Sequence, residues 1–485
     1  MAGSLRLKTV SGMFWSSIQK FGTMGISFVS NIILARLLTP DDYGCIGMLM
    51  IFILIANTFI DGGFGSALIQ KKEPTQEDYS TIFYWNLFFS AALYILLFLS
   101  APCIAEFYNL PLLSSVLQVL GLVLILNSLS IIQQNRLRKQ LLFKKLATVS
   151  IISALLSLSI TIYLAYVGWG VWALVAQQLL MSGFNAVLYW IVGKWNPSFV
   201  FSKQSFKELF GFGGFILLSN LINTLCNNVQ GLLIGKFFSP MIMGLYAQAR
   251  KLEEVASTSF SSVVDQVSYP ILSEFQNDKN SLVSALKNLI TVTAYISFPF
   301  ISVLILIAKP LIVLLYSEKW IECILYFQIL CLIGFVTCIQ NINYYGVAAI
   351  GKSKSLFIWT IIKRLLGLIA IVVGLLLNGF MGILWGSVVS AFILYIINAS
   401  LSSYYVGYRL LQQARDLFPI ISLSAIVYFL VYIISTNCFS WHGMYVVALI
   451  QVLLYVILYI LFSFVFKFQA LKAILSLLNR MKSRI

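Results

Sequence analysis

Apolar residues run along this chain in blocks about as long as a bilayer is thick, broken by short polar or charged stretches. A helix needs roughly 20 apolar residues to cross the hydrocarbon core. Taking the polar breaks as loops predicts about 14 membrane-spanning helices, at 10–37, 44–66, 80–101, 113–133, 147–167, 170–192, 208–236, 241–268, 284–308, 321–344, 356–376, 381–404, 417–435 and 443–466. Little chain remains for a soluble domain. The pattern therefore predicts an all-α polytopic membrane protein. Its first block is too long for a cleaved leader and leads straight into further spans, so it reads as a retained helix.

Polar residues inside four of these blocks recur at helical spacing. The first helix carries Ser16, Gln19, Lys20, Thr23, Ser27 and Ser30, and the seventh carries Ser219, Asn220, Asn223, Asn227 and Gln230. Asn57, Thr58 and Asp61 lie in the second. Arg250, Glu253, Glu254, Ser257, Thr258, Ser261, Asp265 and Ser268 lie in the eighth. Steps of three and four place most of each set on one helix face. A charge at mid-bilayer costs about 3 kcal/mol or more, so Lys20, Asp61, Arg250 and Asp265 are expected to face a hydrated cavity. Isolated Ser, Thr and Asn residues have a plainer reading, as hydrogen-bonding glue between helices. Lys363 and Arg364 read as snorkelling to the interface.

The chain also repeats itself. Leu34-Ala35-Arg36-Leu37-Leu38-Thr39-Pro40 precedes Gly44, and Ile234-Gly235-Lys236-Phe237-Phe238-Ser239-Pro240 precedes Gly244, a shift of 200 residues. Proline ends a helix and glycine permits a sharp bend, so both segments read as tight turns. Arg36, Pro40, Gly44, Pro240 and Gly244 are accordingly structural. Later echoes pair Pro102–Tyr108 with Pro310–Tyr316, and Gly168-Trp169-Gly170-Val171 with Gly379-Phe380-Met381-Gly382-Ile383. Six helices per half make the halves parallel repeats. The expected division is a six-helix lobe over 1–207, a second over 208–416, and two added helices with a basic tail over 417–485.

Composition agrees with a membrane protein: 485 residues, 60% hydrophobic and 10% charged, with a mean hydropathy of +0.93. A net charge of +16 would suggest nucleic-acid binding in a soluble chain. Here 22 of the 32 Lys and Arg residues fall in loops and tails on one side, 4 in loops and helix ends on the other, and 6 deeper inside spans. Basic residues gather on the cytoplasmic side, so both termini are expected to be cytoplasmic and no nucleic-acid partner is implied. Seven cysteines (Cys45, Cys103, Cys226, Cys323, Cys331, Cys338 and Cys438) are scattered and read as packing residues. The single histidine, His442, lies in a predicted loop. No catalytic residue, metal site or cofactor is expected.

Lys20, Arg250 and Lys251 would give the cavity a cationic wall suited to a pyrophosphate. The Asn, Gln, Ser and Thr groups beside them suit a hydroxyl-rich sugar. Gly12-Met13-Phe14-Trp15, the segment from Leu34 to Pro40 continuing through Asp41-Asp42-Tyr43-Gly44, and Asp61-Gly62-Gly63-Phe64-Gly65 resemble the polysaccharide-transporter (Wzx-type) branch of the multidrug/oligosaccharidyl-lipid/polysaccharide exporter superfamily. The resemblance extends over essentially the whole chain, including the count of 14 helices.

That resemblance implies a bacterial inner-membrane flippase, carrying undecaprenyl-pyrophosphate-linked repeat units to the periplasmic face for O-antigen, capsule or exopolysaccharide assembly. Its lobes would alternate between inward- and outward-open states while the polyprenyl tail stays in membrane lipid. A polysaccharide polymerase and chain-length machinery are the implied partners. On this reading Lys20, Arg250 and Lys251 meet the diphosphate, and Gln19, Asn220, Asn223 and Asn227 meet sugar. Asp61, Glu254 and Asp265 balance charge, couple an ion or bind amino sugars. The rival readings are a cation-coupled multidrug exporter of the same superfamily, a membrane polysaccharide polymerase or ligase, and a channel. Short outer loops count against the polymerase or ligase; internal duplication counts against the channel.

Overall fold

The computed structural model describes residues 2–439, 443–468 and 470–471, and His442 lies outside them. Sixteen α-helices follow in order: α1 (Ala2–Leu37), α2 (Pro40–Asp61), α3 (Phe64–Gln70), α4 (Gln76–Phe107), α5 (Leu112–Leu120), α6 (Leu122–Lys139), α7 (Phe143–Tyr166), α8 (Val171–Gly193), α9 (Lys203–Phe237), α10 (Pro240–Glu274), α11 (Lys279–Leu306), α12 (Ala308–Tyr316), α13 (Cys323–Ala349), α14 (Ser353–Tyr405), α15 (Leu410–Cys438) and α16 (Met444–Val465).

Among the described residues, eleven stretches are long and apolar enough to cross a bilayer. In two of them a pair of short helices makes one crossing, α2 with α3 and α5 with α6. The 53 residues of α14 would extend about 80 Å as one straight helix, against a core of about 30 Å. They form two helices, because Asn378 and Gly379 leave helical geometry between them. Helices α1 and α10, of 36 and 35 residues, are long enough but are not among the apolar stretches. Both carry polar stripes. Adding them gives the 14 crossings that the apolar blocks predict.

Local chemistry starts several helices. Thr39 accepts from the Asp42 backbone N–H while Asp42 accepts from that of Thr39, and Thr75 and Asp78 do the same ahead of α4. Such capping boxes satisfy two otherwise orphaned donors at once. Pro40 opens α2 and Gly44 lies within it, which corrects the reading of this motif as a helix-ending proline and a bend-forming glycine. A proline at the first helical position loses no hydrogen bond. The later echo needs a shifted register too. Gly170 (φ 54, ψ −130) and Gly379 (φ 54, ψ −131) share one conformation that is open only to glycine, so these two positions are equivalent.

The chain forms two compact units, Met1–Gly244 and Leu245–Ile485. In the first, a core of Phe64, Leu68, Ile82, Phe83, Ile132 and Trp195 joins α3, α4 and α6. Gly63 sits so close to Gly213 that a side chain at Gly63 would overlap the Gly213 carbonyl, which brings α9 against the start of α3. In the second, α15 and α16 share the core of α11, with Tyr455 and Tyr459 buried beside Tyr295 and Phe298. The seven cysteines are free, four of them buried.

Candidate functional site

Within the first unit, α1 packs along α7, and α9 packs along α2 and α3. At about 100° per residue, Phe215, Leu218, Ile222 and Leu225 occupy one exposed face of α9. Ser219, Asn220, Asn223 and Asn227 occupy another, also exposed. An apolar face can meet lipid; a row of amides in a span cannot do so cheaply. On α1, Lys20 and Ser27 are exposed, and the Lys20 side chain forms no hydrogen bond or ion pair among the described residues.

Several of the remaining polar residues are tied across helices. Gln19 donates to Ser150 Oγ at 2.8 Å, and that hydroxyl lies 3.0 Å from Tyr189 Oη. Gln19 is thus held by α7 and α8. Thr58 and Thr224 meet at 3.2 Å between α2 and α9, and Asn127 donates to Asn57 at 3.0 Å. These contacts are the interhelical glue that isolated polar residues in spans provide. Asp61 ends α2, half-buried.

In the second unit, the charged stripe of α10 lies on one face. Arg250 donates from Nη1 to Tyr246 Oη at 2.9 Å. Lys251 and Glu254 are exposed. Ser257 donates to Glu253, beside Gly334, whose lack of a side chain leaves room for the Ser257 hydroxyl. Asp265 accepts from Asn341 Nδ2 at 3.2 and 3.3 Å, which ties it to α13. Cations, carboxylates and hydroxyls therefore alternate along one helix, with part of the set braced by α13.

The first unit also contains the turn motif. A methyl group on Gly44 would overlap the Pro240 carbonyl, and one on Gly244 would overlap the Pro40 carbonyl. The contact is reciprocal: each glycine meets the proline equivalent to its own. Arg36 lies exposed one turn before it, while Lys236 donates to the Phe107 carbonyl at 2.6 Å. Outside the spans, burial pulls the Lys71 ammonium down, but hydrogen bonds to Asp78 (3.0 Å) and Glu208 (3.1 Å) outweigh it and hold it above the usual lysine value. Hydrogen bonds from Ser281 hold the Asp278 carboxyl, which caps α11, below the usual range.

Lys363 overturns the snorkelling expectation. It is 8% exposed, donates to Asn398 Oδ1 at 3.0 Å and lies 5.5 Å from the centre of the Tyr344 ring. A lysine turned inward to an amide and an aromatic face has no need to reach the interface. Its partners stand 35 and 19 positions away in sequence, so helical periodicity gives no sign of them.

The family described as "Polysaccharide biosynthesis protein" matches residues 33–325, more than half of the chain. Over 358 residues the sequence is 28% identical to the teichuronic acid biosynthesis protein TuaB of Bacillus subtilis, covering 73% of this chain and 74% of that protein. Over 407 residues it is 25% identical to the lipopolysaccharide biosynthesis protein WzxC of Escherichia coli, covering 83% and 81%. A solved structure of the lipid II flippase MurJ, in an inward closed conformation, superposes with a TM-score of 0.76 at 17% identity, covering 94% of this chain and 98% of that one.

Proposed function

Because the chain belongs to the polysaccharide biosynthesis protein family, we propose that it is a transporter and not an enzyme, a flippase for lipid-linked oligosaccharides. The substrate is an undecaprenyl-pyrophosphate-linked repeat unit, carried by alternating access from the cytoplasmic to the periplasmic leaflet of a bacterial inner membrane. The names of the two curated relatives attach them to teichuronic acid and lipopolysaccharide biosynthesis, and a surface polymer assembled from such units is the matching pathway here. The proposed lobes are 1–207 and 208–416, with 417–485 as two additional transmembrane helices and a basic tail.

The observation that carries this reading is that polar residues stay exposed on single helix faces: Lys20 on α1, Asn220, Asn223 and Asn227 on α9, and Lys251 and Glu254 on α10. Amides and hydroxyls match a sugar, which offers donors and acceptors all round. Lys20, Arg250 and Lys251 supply the charge a pyrophosphate needs away from bulk water. Gln19 contributes from the edge of the same stripe, already hydrogen-bonded to Ser150. Asp61, Glu254 and Asp265 balance those cations or couple an ion to the cycle. A polymerase and chain-length machinery would receive the product.

Deleting the gene in its host tests the reading. Loss of surface polymer, with repeat units retained on the cytoplasmic side and restored by a plasmid copy, is the expected result. Unchanged polymer together with altered drug tolerance would replace it with the multidrug-exporter reading. In the restored strain, Lys20→Ala and Arg250→Ala should each lower polymer export at least about tenfold, the size of one lost charge-assisted contact, at wild-type protein level. Normal export by both variants would remove these residues from the substrate path.

A further inference from the structure

A second polar cluster lies in the second unit, outside the stripes described above. Helices α11, α15 and the end of α16 enclose an open cavity of about 910 Å³. Toward the start of α15 and the end of α16 its lining holds Lys287, Arg415, Asp416 and Lys467; further along α15 it holds the apolar Pro419, Leu423 and Ile426, beside Ser422. Both oxygens of Asp416 are engaged: Lys287 donates to one at 2.7 Å and Tyr408 to the other at 2.8 Å. The carboxylate thus positions Lys287 and is itself compensated. Three cations against one anion leave a net charge of +2 at this end.

Depth and direction identify what fits. Alternating crossings bring the starts of α11 and α15 and the end of α16 to the same membrane face. Arg415 lies about 8 Å into α15 and Lys287 about 12 Å into α11 at 1.5 Å per residue. Lys467 follows the last turn of α16. The cations thus gather toward one end of the three helices, with Leu423 and Ile426 lying further along α15. Basic pockets between helices match anionic lipid headgroups.

We propose that this cavity binds a membrane phospholipid of net negative charge, its phosphate between Arg415, Lys467 and Lys287 and its acyl chains along Pro419, Leu423 and Ile426. The site is separate from the proposed translocation stripes and does not depend on what the protein transports.

Native mass spectrometry of the full chain, released from detergent after incubation with defined lipids, tests it. Phosphatidylglycerol should remain bound, whereas phosphatidylcholine and tail-less glycerol 3-phosphate should not. Each cation near an anionic group contributes about a fivefold gain in affinity, so Arg415→Gln/Lys467→Gln should bind phosphatidylglycerol about 30-fold more weakly. Ile426→Trp keeps every charge but fills the apolar end, and should also lose the lipid; it decides the matter if the double variant does not fold. Equal retention of the two phospholipids, or wild-type binding by the variants, overturns the proposal. Binding of glycerol 3-phosphate would reduce the site to a plain anion site. Displacement of phosphatidylglycerol by equimolar undecaprenyl phosphate would reassign it to a polyprenyl carrier.

Discussion

At the scale of single residues, the decisive question in a bilayer is whether each polar group has a partner. Lys363 has two, Asn398 at 3.0 Å and the Tyr344 ring, and Asn398 in turn donates to the Gln340 carbonyl at 3.4 Å. Lys363→Ala removes the donor and leaves the Asn398 oxygen buried without one, which costs about 1–3 kcal/mol. Thermal unfolding of the purified protein should show that loss. Lys363→Met/Asn398→Leu, which removes both polar ends, should be less destabilised than Lys363→Ala alone. Equal destabilisation would mean that Lys363 acts through something other than this pair. The sequence points to such residues only as charges out of place. It assigns Lys20 to a cavity and Lys363 to the interface, yet Lys363 is enclosed while Lys20 is exposed, because enclosure depends on which helix lies opposite.

Between elements, the Pro-Gly motif shows how a legible signal acquires its physical meaning late. The 200-residue repeat is plain in the sequence, and so is the recurrence of glycine at 44 and 244, which by itself reads as a sharp bend. What requires glycine is a helix crossing: the backbone around Pro240 occupies the space of a Gly44 side chain, and that around Pro40 the space of a Gly244 side chain. Overpacking of this kind typically costs about 1–3 kcal/mol. Gly44→Ala and Gly244→Ala should each lower thermal stability by that order. The double variant should lose less than the sum, since whichever methyl group enters first opens the crossing for the second. Additive losses in the melting experiment would show that the two contacts yield independently.

For the whole molecule, hydropathy and charge set the count of crossings and their proposed orientation. Cys438, exposed at the last position of α15, should react with a membrane-impermeant maleimide in intact spheroplasts. A cysteine placed at Lys145, exposed in the first turn of α7, should react only after permeabilisation. Reversed accessibility would invert the orientation. The buried cysteines Cys45, Cys323, Cys331 and Cys338 should stay silent in both conditions.

Fourteen crossings and the internal repeat were legible in the chain itself, whereas several helices run five to eight residues past their expected ends, α1 starting at 2 and not 10, α15 at 410 and not 417. In a bilayer every backbone group must be satisfied within its own helix, so local hydropathy suffices to place the spans. The polar stripes on α1, α9 and α10 were legible for a similar reason, since a helix face is a local property. Tertiary structure alone decided which stripe residues stay exposed and which are tied across helices. Gln19 finds Ser150 at a separation of 131 residues, Asp265 finds Asn341 at 76, and Lys363 finds Asn398 at 35. A hydrogen bond between helices belongs to two surfaces at once, and the periodicity of either one does not contain the other.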